Sequence, residues 1–530
     1  MSFVSFGFVF FMIVCLAAYY AVPKKYRYLV LLVASYSFYI LAMRRYVLYL
    51  IVTTATVYGA GLWIDRIAKQ QKAYLKSNKQ DLSKEEKKAY KSSMKKRQKT
   101  VLVLCLLLNF GVLAFLKYAN FVIANVNLFR LRFFGRTDYF GFFDLVLPLG
   151  ISFYTFQAAG YLIDLYFGKY EAERHFGKFA LFVSFFPQII QGPIGRFPEL
   201  SETLFEGHDC EFRQLVYGFY QVMWGLFKKL LIADRVASYV GNTIASHREL
   251  GGAYILFAIF LYSMQIYGDF SGGIDITIGV SRMFGVRMAK NFDRPFFSKS
   301  VAEYWRRWHI TLGTWFKDYI FYPLSIAKWT LNLGKWTRTH ISETIGKKVP
   351  IYVSMFIVWF TTGLWHGAEW RYIVWGLLNF LILAVSTELE PYYDRGYALL
   401  HIRQDGKIRK YWQVIRTFTI MSFLRVFDIS ASVGDACSVI RGVFHNFSDF
   451  NSGKIAELGL PPEELRAALF ACLAVLGVSL LQRKGSIRDR IMEQKLPVRW
   501  VCMAVLVITV IIFGSYGIGY DARDFIYLQF

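Results

Sequence analysis

Long apolar runs separated by shorter polar stretches fill most of this 530-residue chain. A bilayer core asks about 17 to 25 such residues of a helix. Three runs come first, at 3–22, 28–43 and 46–64. The first has no basic region ahead of it and no small-residue cleavage site behind it, so it reads as a retained span, not a signal peptide. The pattern then changes: residues 66–99 carry 13 Lys or Arg against three acids, and basic segments between spans lie on the cytoplasmic side. Three spans before such a loop place the N-terminus outside. Within it, Ser83 and Glu86 stand at capping-box spacing, and the residues that follow are expected to continue as helix into a span at 100–117.

From 144 to 196 the apolar pattern is broken by Pro148, Gly150, Gln157, Gly160, Asp164, Pro187, Gln188, Gln191, Gly192, Pro193 and Gly195. Broken backbone at membrane depth is tolerated where protein buries it or water lines it, which predicts kinked or re-entrant helices around a cavity. A regular span is expected at 215–232, ending at an interface with Lys228 and Lys229. The apolar run 253–284 holds Asp269 and Asp275, six residues apart and so on different helix faces; the bland reading pairs them with Arg282, Arg287 or Arg294. Residues 291–324 mix aromatic rings with Arg306, Arg307 and His309. That mixture suits an amphipathic or re-entrant segment at the cytoplasmic face, its arginines facing either lipid phosphate or a phosphorylated ligand.

Residues 335–348 are basic again, so the stretch 350–387 must cross and return. A span at 413–427 leads to the acidic segment 428–464, read as external. Spans at 465–481 and 501–516 flank the basic stretch 483–499, and the C-terminus is expected outside. The total is 11 to 13 membrane segments, re-entrant ones included. No internal repeat of the kind found in inverted-repeat transporters is visible.

Composition agrees: 55% hydrophobic and 18% aromatic residues exclude an ordinary soluble domain. The formal charge of +25 would point to nucleic acid in a soluble protein, but here it reports cytoplasmic loops and contact with the lipid bilayer, so no nucleic-acid partner is expected. Six cysteines show neither metal-ligand spacing nor a disulfide framework, and no metal site is expected.

The most informative chemistry lies in TTGLWHGAEWRYIVWGLLN, residues 361–379. His366 stands there in an otherwise apolar hairpin, about 24 Å from its cytoplasmic start at 1.5 Å per residue. Ionisable side chains at such depth are rare and are functional candidates by default. Gly363, Gly367 and Ala368 remove bulk around it, letting another backbone or a ligand approach. The alternative is a core histidine tying two helices together. A neutral imidazole within reach of an alcohol accepts its proton during attack on a thioester. No Gly-rich phosphate loop or Ser-His-Asp ordering is present.

The 291–324 run, GLWHG at 363–367 with WGLLN after it, FFPQIIQGPIGRF at 185–197, DFSGGIDITIGVSRMFG and SFLRVFDISASVGDA together resemble the bacterial membrane-bound O-acyltransferase family. The likeness is to its alginate O-acetyltransferase branch and, more distantly, to the D-alanyl transfer proteins of teichoic acid modification. The resemblance implies an all-α polytopic membrane protein of the bacterial cytoplasmic membrane, with a ring of helices around a funnel. Its domain plan would be three spans at 1–64, a basic cytoplasmic loop at 65–99, a catalytic core at 100–427, and an external acidic segment, two spans and an external tail at 428–530.

It further implies transfer of an acetyl group from a cytoplasmic thioester donor, acetyl-CoA as co-substrate with no bound cofactor, to a hydroxyl of an exported polysaccharide or through an extracytoplasmic acetyltransferase partner. His366 matches the family's invariant histidine and His309 the second one. Arg306, Arg307 and Lys317 are candidates for the donor phosphates on charge alone. The C-terminal aromatic stretch resembles a motif in which a tyrosine hydroxyl carries the acyl group, making Tyr527 a candidate carrier; the alternative is an interfacial aromatic anchor. D-alanyl transfer from a carrier protein and a non-enzymatic channel or exporter remain as alternative functions.

Overall fold

A computed structural model describes residues 3–189, 191–447, 450–516 and 525. Among these the regular elements are all helices, and the β-type pairing is a single antiparallel bridge between Phe292 and Trp308. The chain divides into two compact units, Met1–Leu215 with Val280–Met288, and Val216–Gly279 with Ala289–Phe530.

The first unit contains α1 (Phe6–Ala21), α2 (Arg27–Met43), α3 (Val47–Ser77), α4 (Lys84–Phe134), α5 (Ile151–Tyr166), α6 (Phe176–Ser184), α7 (Phe186–Ile189) and α8 (Phe197–Leu204). Helix α4 has 51 residues and is about 76 Å long at 1.5 Å per residue, more than twice a bilayer core. Its buried positions Met94, Gln98, Leu102, Cys105, Asn109 and Leu113 recur every three or four residues. They face the matching stripe Leu50, Thr53, Val57, Ala60, Ile64 and Ile67 on α3. On the opposite face of α4, Leu104 and Leu107 are exposed. Apolar side chains gain little by leaving lipid, so the polar groups within this seam matter, among them the Asn109 Nδ2 to Thr56 Oγ1 hydrogen bond of 3.1 Å.

The basic stretch is not a loop. Helix α3 runs to Ser77 and α4 starts at Lys84, because Lys, Glu, Gln and Ala are strong helix formers and a solvated helix needs no apolar face. The capping box forms as expected: Ser83 Oγ accepts from Glu86 N at 3.1 Å, and Ser83 N donates to the Glu86 carboxylate at 2.8 Å. The Ser83 N–H bond to the carboxylate holds the Glu86 carboxyl below its ordinary pKa. In the broken region, Gln157 donates to the Phe182 carbonyl at 2.6 Å and accepts from Gln188, while Asp164 pairs with Lys169 at 2.8 Å. Gln157 and Gln188 are thus joined inside protein, whereas both amide atoms of Gln191 are buried without a hydrogen-bond partner among the described residues.

The second unit contains most of α9 (Phe212–Lys228), a π-helical turn at Lys229–Ala233, α10 (Asp234–Ala245), most of α11 (Gly252–Met283), α12 (Val301–Arg307), α13 (Ile310–Phe316), α14 (Tyr322–Ser325), α15 (Lys328–His340), α16 (Glu343–His366) and α17 (Trp370–Leu399). It continues through α18 (Lys407–Leu424), α19 (Val426–Ile429), α20 (Val433–Gly442), α21 (Ser452–Glu457), α22 (Pro462–Leu481), α23 (Ile487–Met492) and α24 (Leu496–Phe513). Helices α9 and α11 meet through glycines: a Cβ on Gly225 would stand 2.5 Å from the Gly272 carbonyl, and one on Gly272 2.8 Å from the Gly225 carbonyl.

That close approach buries Lys228 and Lys229 (3% and 1% exposed) instead of leaving them at an interface. Lys228 pairs with Asp275 at 2.7 Å, and Lys229 with Asp269 at 2.6 Å and Asp234 at 2.9 Å. The partners of Asp269 and Asp275 therefore include lysines from the facing helix. Arg488 adds a third cation, 3.5 Å from Asp275.

Among the described residues seven helical runs are long and apolar enough to cross a membrane: Lys24–Ser77, Lys84–Phe134, Gly252–Met283, Glu343–His366, Trp370–Leu399, Pro462–Lys484 and Leu496–Phe513. The chain is a multi-pass membrane protein. The first run holds two of the expected spans, α2 and α3, and α1 is apolar but shorter. Helices α9 and α18, at the expected spans 215–232 and 413–427, are not among the seven. Both carry Lys, Arg and Gln; α9 buries Gln221 and Lys228 within protein, whereas α18 exposes Ile408, Tyr411, Trp412 and Ile415.

Candidate active site

His366 is the last residue of α16, and the chain turns through Gly367–Glu369 into α17. The two helices cross at their glycines: a Cβ on Gly363 would lie 2.5 Å from the Tyr372 carbonyl, and one on Gly376 2.4 Å from the Trp359 carbonyl. A Cβ on Gly367 would meet the Tyr372 ring at 2.3 Å. The expected space around His366 is thus filled by the returning helix and its aromatic ring. The imidazole packs 4.5 Å from the Trp375 ring at 64° and 6.3 Å from Tyr372, nearly parallel to it.

His309 sits at the break between α12 and α13, with φ 46° and ψ 53°. A non-glycine residue held in that left-handed region costs about 1–3 kcal/mol, and such strain clusters at functional sites. A short antiparallel clamp holds it: Asp293 N–H donates to the Arg307 carbonyl at 2.9 Å, and Ile310 N–H to the Asn291 carbonyl at 3.0 Å. The ring is buried at 3% exposure. It lies edge-on to Phe270 at 4.8 Å and 5.9 Å from Trp365, the neighbour of His366. Its Nδ1 is 3.2 Å from Asn291 Oδ1.

Both histidines line one cavity of about 630 Å³, walled by Trp305, Trp308, Leu312, Phe316, Val358, Trp359 and Thr362. That volume and mostly apolar lining suit a small-molecule site. Arg306 and Lys317 line it too, whereas Arg307 does not. One residue is 100° of helix, which turns Arg307 away to pair with Glu303 at 2.5 Å. The wall is braced from behind: Trp305 Nε1 donates to Asn379 Oδ1 at 3.0 Å, and Asn379 Nδ2 to the Trp375 carbonyl at 2.9 Å. The guanidinium of Arg425 stacks 4.1 Å from Trp308 and donates to the Tyr304 hydroxyl.

Sequence reasoning placed the two histidines, Arg306 and Lys317 but missed Asn291, Asn379 and Arg425. Neutral amides carry no charge or spacing signal, and Arg425 was not singled out from the span at 413–427. Tyr527 lies outside the described residues. Phe525, two positions before it, is buried, with Lys229 Nζ 4.6 Å from its ring centre.

The family model for MBOAT, the membrane-bound O-acyltransferase family, matches residues 174–328 and 325–432. The chain is 33% identical over 379 residues to "Probable alginate O-acetylase AlgI" of Pseudomonas aeruginosa, covering 72% of this chain and 64% of that protein. It is 29% identical over 368 residues to "Peptidoglycan O-acetyltransferase" of Helicobacter pylori, with 64% of each chain covered. It is 28% identical over 253 residues to "Teichoic acid D-alanyltransferase" of Bacillus subtilis, covering 47% of this chain and 61% of that one. The match thus spans slightly less than two thirds of the length of these curated relatives. With its helical membrane architecture and its paired histidines on one cavity, the chain belongs to the membrane-bound O-acyltransferase family.

Proposed function

We propose that this protein is an O-acetyltransferase of the bacterial cytoplasmic membrane. It moves an acetyl group from a cytoplasmic thioester, acetyl-CoA, to a hydroxyl of an exported or cell-surface polysaccharide, directly or through a partner. The observation that carries the reading is the single cavity holding His366 and His309 together with Arg306 and Lys317. The names of the relatives, O-acetylases for alginate and peptidoglycan, support the choice of acyl group and acceptor class.

His366 accepts the hydroxyl proton as the oxygen attacks the thioester carbonyl. The new C–O bond forms, the C–S bond breaks, and the proton is passed to the departing thiolate. General-base assistance is worth about 100- to 10,000-fold. The aromatic walls exclude water, which favours transfer over hydrolysis. Arg306 and Lys317 hold the phosphates of the donor at the mouth. On this reading the basic α3–α4 hairpin and residues 335–348 face the cytoplasm, and the N-terminus and the tail with Tyr527 face outward.

Purified protein in detergent, given radiolabelled acetyl-CoA and a polysaccharide or water as acceptor, tests this. Label must leave acetyl-CoA, and His366→Ala must abolish its release while eluting as a folded protein. A second reading, D-alanyl transfer, is favoured by the Bacillus subtilis relative; label released only from a charged carrier protein would establish it. A channel would release none.

A further inference from the structure

We infer that Asn291 is a positioning residue for the reaction, one that selects the His309 tautomer with its hydrogen on Nδ1 and so keeps the lone pair on Nε2. The inference rests on the acyl-transfer reading of the cavity for its kinetic meaning but not for its geometry. Three groups converge on Asn291 Oδ1: the Thr311 backbone N–H at 3.0 Å, the Thr311 hydroxyl at 2.9 Å and His309 Nδ1 at 3.2 Å.

A backbone N–H only donates, so the amide atom it meets is the oxygen and not the nitrogen. The same oxygen then obliges His309 Nδ1 to donate. A neutral imidazole has one N–H, which leaves Nε2 as the acceptor. Asn291 is 1% exposed and His309 3%, so bulk water does not compete for these bonds. Asn291 is not part of the cavity wall, whereas His309 is, and with Nδ1 donating to Asn291 the acceptor lone pair of the ring lies on Nε2.

Two further features show that this orientation is imposed. Asn291 Nδ2 is buried without a hydrogen-bond partner among the described residues, so the amide gives up one of its own bonds to keep its oxygen where it is. The Asn291 carbonyl also accepts from Ile310 N–H, so main chain and side chain of one residue grip His309 and both residues that follow it. His309 then presents a hydrogen-bond acceptor to a donor amide or to the incoming hydroxyl, beside the base His366.

The test is spectroscopic first. Protein labelled with 15N-histidine in detergent, with the His309 signals assigned by subtraction against His309→Gln, is expected to show hydrogen on Nδ1 and none on Nε2. A wild-type ring protonated on Nε2 overturns the proposal. Asn291→Leu, of similar volume but with no acceptor, is expected to lose the Nδ1–H signature, and Asn291→Asp, which keeps an oxygen in place, to retain it.

In the acetyl-CoA assay, Asn291→Leu is expected to lower kcat at least about tenfold with KM for acetyl-CoA within about threefold. In the His309→Gln background it should cost no more. An unchanged kcat, or an added loss in that background, overturns the inference. If Asn291→Leu does not fold, the wild-type spectrum decides alone. Wild-type protein with the expected spectrum but no acetyl transfer refutes the acyl-transfer reading and leaves the tautomer assignment standing.

Discussion

Replacing Gly363 with alanine puts one methyl group where α16 and α17 cross. Built on the backbone, that Cβ lies 2.5 Å from the Tyr372 carbonyl oxygen, 3.1 Å from Ile373 Cα and 3.2 Å from the Tyr372 carbonyl carbon. All three are main-chain atoms, so no rotamer change relieves the clash. An ordinary C···O contact needs about 3.3 Å, so the helices must separate by about 0.8 Å. His366 is three residues further along α16, on the element that moves. Overpacking of this kind costs about 1–3 kcal/mol in stability. A displacement near 1 Å at a reacting group lowers rate about 100-fold. We therefore expect Gly363→Ala to express and purify with a lowered thermal midpoint, and to release acetate from labelled acetyl-CoA about 100-fold more slowly. Gly396→Ala is the control: it lies on α17 with nothing within 4 Å of its Cβ, and alanine in a helix gains about 0.8–1 kcal/mol over glycine. Turnover of Gly363→Ala within about threefold of wild type would refute the argument that this crossing sets the position of His366.

Lys229→Met removes the buried cation that pairs with Asp269 and Asp234. This should cost about 3–5 kcal/mol, read as loss of monodisperse protein on heating in detergent, and Asp269→Asn with Asp234→Asn should restore much of it. Arg306→Ala and Lys317→Ala should each raise KM for acetyl-CoA about tenfold, the worth of one charge-assisted hydrogen bond, while Arg307→Ala, paired with Glu303, should shift it less than about twofold in the same assay. Tyr527→Phe should stop acetylation of polymer in cells while leaving acetyl-CoA hydrolysis intact; polymer acetylated at the full rate would remove the carrier role.

The all-helical, multi-pass character was legible because span length is set by bilayer thickness and not by partners, and the capping box at Ser83 because its signal is purely local. The interior helices were harder. Lys228 and Lys229 looked interfacial since a one-dimensional reading cannot see that Gly225 and Gly272 bring α11 close enough to supply Asp269 and Asp275. His366 was legible as a charge-bearing residue at depth. The fate of the glycines beside it was not, since a small residue marks a close approach without saying what approaches. Asn291 was invisible in advance: its role exists only once a helix break 18 residues later folds back on it.

The unbroken course of α4 has a mechanical consequence. With no loop between its buried seam and its basic end, the azimuth of every lysine on that end is fixed by residue count alone. Inserting one residue near 92 would swing the tip by about 100° relative to the seam and lift it about 1.5 Å. Inserting seven would bring it back to within about 20° of its original facing. The surface that this mast presents to its surroundings is therefore indexed to the membrane-embedded face like teeth on a shaft.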